Sequence, residues 1–217
     1  MRNDIAHNRK GKTIRWAYFY DWFVNLVSFG KEKSFRKMTI ALARVKPGEK
    51  ILDVGCGTGS LTIAAKAQAG LTGEVYGTDV ASGMIEVARR KAARAGVEVN
   101  FQVDLIEKIS FSDDQFDVVL SSFMMHHLPD DLKREALAEI YRVLRPGGRL
   151  LIVDIESTGH SAVRGFFNLM VQLHGGASAM QNNVKKLIPL LETAGFSNVE
   201  TGEMKWQTSS IIGKKAL

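Results

Sequence analysis

Residues 51–61 read ILDVGCGTGSL, with Asp53 followed by Gly55, Gly57 and Gly59 in alternation. Glycine loses more chain entropy on folding than any other residue, so three within five positions need a cause. Between a strand and a helix, such glycines turn the chain and leave backbone N–H groups open to a ligand. Gly55 and Gly57 suit the turn, and Gly59 lets the next helix start close to the ligand. Thr58, Ser60 and Thr62 add hydroxyls. Asp79 closes VYGTD, twenty residues past Gly59. A carboxylate there can accept hydrogen bonds from both hydroxyls of a ribose. Asp104, in FQVDL, can accept from an exocyclic adenine amine, with Leu105 as an apolar edge. A dinucleotide would want G-x-G-x-x-G, but its last position here is Ser60. Asp53 would also repel a pyrophosphate and welcome a cationic ligand with an ammonium and a sulfonium.

His126 and His127, in SFMMHHLPDD, are the candidates for proton transfer, because imidazole titrates in the useful range. Adjacent side chains diverge and no third ligand is at hand, so no metal site is expected. Cys56 is the only cysteine, which leaves no internal disulfide or thiolate cluster. It reads as a small residue between close-packed glycines. Met124 and Met125 read as pocket wall or core.

These residues need strand ends and loops to position them. KILDV (β1, 50–54) is a short apolar strand, and SLTIAAKAQAG a helix ending at Gly70. EVYGTD (β2, 74–79) precedes a helix from Ser82 to Gly96. VEVNFQ (β3, 97–102) and FDVVLSS (β4, 116–122) follow. A helix runs from Pro129–Asp130 through Leu144, with Leu132, Leu137, Ile140 and Leu144 on one side. RPGG is then a turn, and RLLIVDI (β5, 149–155) a buried strand. FSNVETGE (β6) and KWQTSSIIGKKAL (β7) read as a closing antiparallel pair. Strands separated by helices imply βαβ units around a parallel sheet with helices on both faces. Ahead of β1, Phe35, Met38, Leu42 and Val45 are spaced as a helix face.

The 217 residues suit one domain with a modest appendage, and 45% hydrophobic with 24% charged residues is usual for a globular core. No apolar run is long enough to cross a membrane and the N-terminus lacks a secretory signal, so a cytoplasmic protein is expected. The net charge is +6. Residues 1–50 hold 12 Lys/Arg and 4 Asp/Glu, whereas the rest hold 17 and 19. The basicity therefore belongs to the N-terminal quarter. It reads as a solvated face or as an attraction to an anionic substrate or membrane surface. The aromatics Trp16, Tyr18, Phe19, Tyr20, Trp22 and Phe23 are too crowded for an isolated stacking platform, so nucleic acid is not the expected partner.

LDVGCGTG, VYGTD, FQVDLIEKISFSDDQFDVV and EIYRVLRPGGRLLIVD resemble the class I S-adenosylmethionine-dependent methyltransferases. The segment YDWFVNLVSFGKEKSFRKMTI is similar to the ubiquinone/menaquinone-biosynthesis C-methyltransferases. The resemblance implies a Rossmann-like, doubly wound, seven-stranded and mostly parallel sheet with an antiparallel C-terminal hairpin strand. It implies a helical lid over 1–45 and a methyltransferase domain over 46–217. It further implies that Thr62, Asp79, Asp104, Leu105 and Ser122 contact the cofactor and that Tyr20 closes over it. Asp53, Gly55, Cys56, Gly57, Gly59, Val80 and Met84 complete the expected cofactor site. The cofactor would be S-adenosylmethionine, leaving as S-adenosylhomocysteine. The implied acceptor is a small hydrophobic molecule, quinone-like or lipid-like, with peripheral membrane contact through the basic N-terminus. A phospholipid headgroup or small amine is the alternative, and RNA a further one. His126 and His127 stand where the quinone enzymes carry an arginine–asparagine pair. The apolar stretch 159–180 is expected to wall the acceptor pocket, together with the N-terminal aromatics.

Overall fold

The computed structural model describes residues 32–155, 184–204 and 208–217. Tyr20, the N-terminal aromatics and the 159–180 stretch lie outside the described residues. The strands form a seven-stranded, mostly parallel sheet in the order β3-β2-β1-β4-β5-β7-β6, with helices around it. The chain divides into two compact units, Met1–Ile106 and Glu107–Leu217.

In the first unit, α1 (Glu32–Leu42) precedes β1 (Lys50–Val54), α2 (Ser60–Ala69), β2 (Glu74–Asp79), α3 (Ser82–Ala95) and β3 (Asn100–Val103). β1 pairs in parallel with β2, and β2 with β3. Ile51, Leu52 and Val54 are fully buried, as expected for a strand covered on both faces. Gly96 ends α3 in the left-handed conformation, and the Gly96 and Val97 N–H groups donate back to Ala93 and Ala92. This satisfies carbonyls the helix would otherwise leave open. The inner side of α3 joins Ile85, Ala88 and Ala92 to Phe101 of β3 in one apolar cluster. Two expectations shift here. β3 occupies 100–103 rather than 97–102, because Val97 is still held by the α3 cap. The α1 face that is most buried carries Thr39 and Ile40, while Phe35, Met38 and Leu42 are half-buried.

The second unit holds β4 (Phe116–Ser122), a 3-10 turn (Met125–His127), α4 (Asp130–Val143) and β5 (Leu144–Ile155). A second 3-10 turn (Val184–Leu187), α5 (Ile188–Thr193), β6 (Ser197–Met204) and β7 (Thr208–Lys214) follow. β4 and β5 are parallel, β7 is antiparallel to β5, and β6 is antiparallel to β7. The expected RPGG turn is instead an irregularity within β5. Phe116 pairs with Leu144, but Val118 already pairs with Arg149, so the four residues 145–148 stand against Asp117 alone and β5 carries three extra residues relative to β4. Gly148 sits there because a Cβ would lie 2.8 Å from the Arg145 carbonyl oxygen. The helix therefore ends at Val143, and Leu144 opens the strand.

Candidate functional site

The three loop glycines all adopt positive φ, at 67° for Gly55, 54° for Gly57 and 75° for Gly59. Residues with a Cβ pay for that conformation, so glycine is demanded by backbone geometry at each position. Their surroundings differ. Among the described residues a Cβ on Gly57 would meet nothing within 4 Å, which leaves space beside the loop where a ligand can approach. A Cβ on Gly59 would lie 2.7 Å from the Phe101 ring and 2.8 Å from Ala88. Gly59 thus serves close packing of α2 against α3 and β3, a different purpose from the expected approach to a ligand.

The loop is tied to the end of β2. Cys56 N–H donates to the Thr78 carbonyl at 2.9 Å, and Gly57 N–H donates to Asp79 Oδ2 at 2.9 Å. The other oxygen of Asp79 accepts the Ala81 N–H at 2.9 Å. Burial raises the Asp79 pKa, while these two N–H groups oppose the rise. Each carboxylate oxygen keeps a further lone pair for a ligand hydroxyl. Asp104 is joined to the same edge, its N–H donating to the Asp79 carbonyl. Its carboxylate accepts from Leu105 N–H and from the Gln102 amide. Beside these acids Val80, Val103 and Leu105 expose 67%, 52% and 47% of their surface. Three exposed apolar side chains at two neighbouring strand ends suit the face of a base.

Asp53 is only 1% exposed, and the Thr62 hydroxyl donates to its Oδ2 at 2.6 Å. Burial lifts its pKa from 3.8 to about 7, against the Thr62 bond and the positive Arg36 of α1, with Asp79 adding to the rise. Thr62 is fully buried, so it supports Asp53 rather than meeting a ligand with its own hydroxyl. The Thr58 and Ser60 hydroxyls are also engaged, accepting from Lys91 Nζ at 3.0 and 2.6 Å. No short-range pattern pairs Lys91 with a loop over 30 residues away, and sequence reasoning missed it. The Cys56 side chain packs against the Ile85–Phe101 cluster. Burial, then Asp53 and Asp79, raise its thiol pKa. Met84 is half-buried in the first turn of α3, its N–H donating to Ala81.

In the second unit Ser122 ends β4, half-buried. Phe123 follows with φ 54°, an uncommon conformation for a bulky residue, and such strain gathers at functional sites. Its N–H donates to the Val153 carbonyl of β5. The 3-10 turn then carries His126 and His127. His126 is 3% exposed. Asp154 near the end of β5 accepts its backbone N–H at 2.9 Å and meets its Nδ1 at 2.6 Å. The two histidine rings lie 3.9 Å apart, centre to centre, tilted by 43°. Partial burial first, and His126 second, lower the His127 pKa from 6.5 to about 4, while Asp154 opposes. Neither histidine caps α4, whose N-cap is Pro129. Asp154 escaped the sequence reading because a lone acid in an apolar strand carries no motif. Among the described residues no cluster of acids, histidines and cysteine is arranged to hold a metal, and no helix is long and apolar enough to cross a membrane.

The methyltransferase domain profile matches residues 51–148. The ubiquinone/menaquinone biosynthesis C-methyltransferase UbiE of Burkholderia mallei is 37% identical over 155 residues, covering 69% of this chain and 63% of that protein. The match thus spans less than two thirds of the relative's own length. A SAM-dependent methyltransferase from Aquifex aeolicus shares the fold, with a TM-score of 0.68 at 22% identity over 82% of this chain and 88% of its own. Phosphoethanolamine N-methyltransferase 2 of Haemonchus contortus, in complex with S-adenosylmethionine, aligns with a TM-score of 0.73 at 20% identity, over all of this chain and 60% of its own. The matched stretch begins on β1 and contains the glycine loop, Asp79 and Asp104. What these residues prepare for a cationic nucleoside is therefore prepared for S-adenosylmethionine, and residues 51–148 carry the methyltransferase domain by which this chain is similar to the class I S-adenosylmethionine-dependent methyltransferases.

Proposed function

We propose that the protein transfers a methyl group from S-adenosylmethionine to a small, hydrophobic, quinone-like acceptor. The observation that carries the acceptor class is the 37% identity to a ubiquinone/menaquinone C-methyltransferase across 155 residues. The bound cofactor supplies an activated methyl on a sulfonium, so the chain's own part is alignment and desolvation. Asp79 offers lone pairs to the ribose and, through Gly57 N–H, holds the loop in shape. Asp104 and exposed Val80 and Leu105 form a rim for the adenine. Buried Asp53, its pKa lifted to about 7, gives up its proton more readily when a ligand of net positive charge binds and then supplies negative charge to it.

Labelled S-adenosylmethionine with a panel of demethylated quinols, phospholipid headgroup amines and RNA tests the reading. Label should enter a quinol, on carbon. Label entering only an amine or only RNA overturns the acceptor assignment and leaves the cofactor in place.

A further inference from the structure

We propose that Asp154 positions His126 so that Nε2 of its imidazole takes the proton the acceptor loses during methyl transfer. The inference rests on the methyltransferase reading above and names the residue pair that serves it. The carboxylate of Asp154 can only accept, and one oxygen already receives the His126 backbone N–H. The other lies 2.6 Å from Nδ1, so Nδ1 carries the hydrogen in that bond. In a neutral ring the lone pair is then on Nε2. That atom is shut off from solvent and has no hydrogen-bond partner among the described residues.

Two further observations favour a built site over a packing accident. Phe123 takes a left-handed backbone immediately before the turn that carries His126, and its N–H bond to Val153 ties that bend to β5. Ser121 Oγ is likewise buried without a partner among the described residues. Ser121 pairs in register with Ile152, so it shares a sheet face with Asp154 two residues on. Two unpartnered polar atoms among the described residues, one of them on the sheet face that carries Asp154, suit the polar groups of a bound molecule. Among the described residues, Asp154 from β5 and His127 from its own turn are the titratable groups that meet His126.

In the step itself, an O–H or acidic C–H bond of the acceptor breaks and its proton passes to Nε2. The electron pair left behind drives formation of the bond to the methyl carbon, while the carbon–sulfur pair departs on sulfur. The imidazolium formed is then held against the Asp154 carboxylate, as in other base–orienter pairs. Asp154 is a positioning residue, since it acts through His126.

Nitrogen-15 NMR of histidine-labelled protein reads the tautomer without any acceptor. His126 should show protonated Nδ1 and bare Nε2 at pH 7.5, and Asp154→Asn should abolish that preference. Protonated Nε2 in the unsubstituted protein, alone or together with Nδ1, overturns the proposal. With an acceptor found by the panel, Asp154→Asn should lower kcat by about a hundredfold or more and leave KM and S-adenosylhomocysteine affinity within about twofold. Its residual rate should climb with pH as the acceptor ionises unaided, and Asp154→Glu should recover part of kcat. An Asp154→Asn enzyme with full kcat and an unchanged pH profile sinks the idea. If Asp154→Asn fails to fold, the Asp154→Glu kinetics and the tautomer decide. If quinols are not substrates but another acceptor is, the acceptor reading fails and these same measurements still test the dyad.

Discussion

At the residue scale, two carboxylates with different surroundings carry different predictions. Asp79 binds the loop and Ala81 through two N–H bonds and keeps lone pairs for a ligand. Asp79→Ala should weaken S-adenosylhomocysteine binding by about 1.5–3 kcal/mol per charge-assisted bond lost, measured by calorimetry. An unchanged dissociation constant would remove Asp79 from the site. Asp53 titrates near 7 in the fold and near 3.8 when free. Between those values the folded state holds a proton that the unfolded chain has released. Stability should therefore fall as pH rises from about 4 to 7. Asp53→Asn should flatten that slope and raise stability at pH 8 by up to about 4 kcal/mol, while weakening the cationic cofactor. Urea melts of both proteins across this range check the sign. A slope that survives the substitution assigns it to other groups.

At the element scale, the glycine loop separates packing from binding. Gly59→Ala meets Phe101 and Ala88 as well as a left-handed φ, and should cost about 2–5 kcal/mol of stability. Gly57→Ala pays only for its φ, so it should stay folded. Its methyl enters the open space beside the loop and should weaken cofactor binding. Equal effects of the two substitutions on stability and binding would contradict this division. A second element, the stretch joining β3 to β4, hangs on α4. Arg142 donates to the carbonyls of Ile109 and Phe111 and to the carboxylates of Glu139 and Asp113. Lysine cannot reproduce that fork. Arg142→Lys should speed proteolysis between 107 and 115 in the folded protein, and equal cleavage rates would show the clamp to be dispensable.

At the scale of the whole molecule, a ligand that binds only the folded state stabilises it by mass action. S-adenosylhomocysteine at a hundred times its dissociation constant should add about 2.7 kcal/mol, which for a chain of this size is about 5–10 °C in Tm. NADH at the same concentration should leave Tm unchanged, because Ser60 replaces the third glycine that a dinucleotide wants. The reverse pattern would overturn the cofactor assignment.

The element order, the glycine loop and the acids at the ends of β2 and β3 were legible in the sequence. Strand and helix periodicities are local, and a positive φ selects glycine whatever lies around it. Local signals do not say why each glycine is needed. Only the folded chain shows that Gly59 makes room for Phe101 while Gly57 borders open space. Nor do they reach across the chain. Lys91 meets Ser60 at a separation of 31 residues, and Asp154 meets His126 at 28. The register of β5, with three extra residues within 145–148, likewise depends on where β4 lies beside it. Sequence alone determined which residue types could bind a cationic nucleoside and accept a proton. Tertiary structure decided which of them are committed to one another, because hydrogen bonding in a buried site depends on distances that only packing creates.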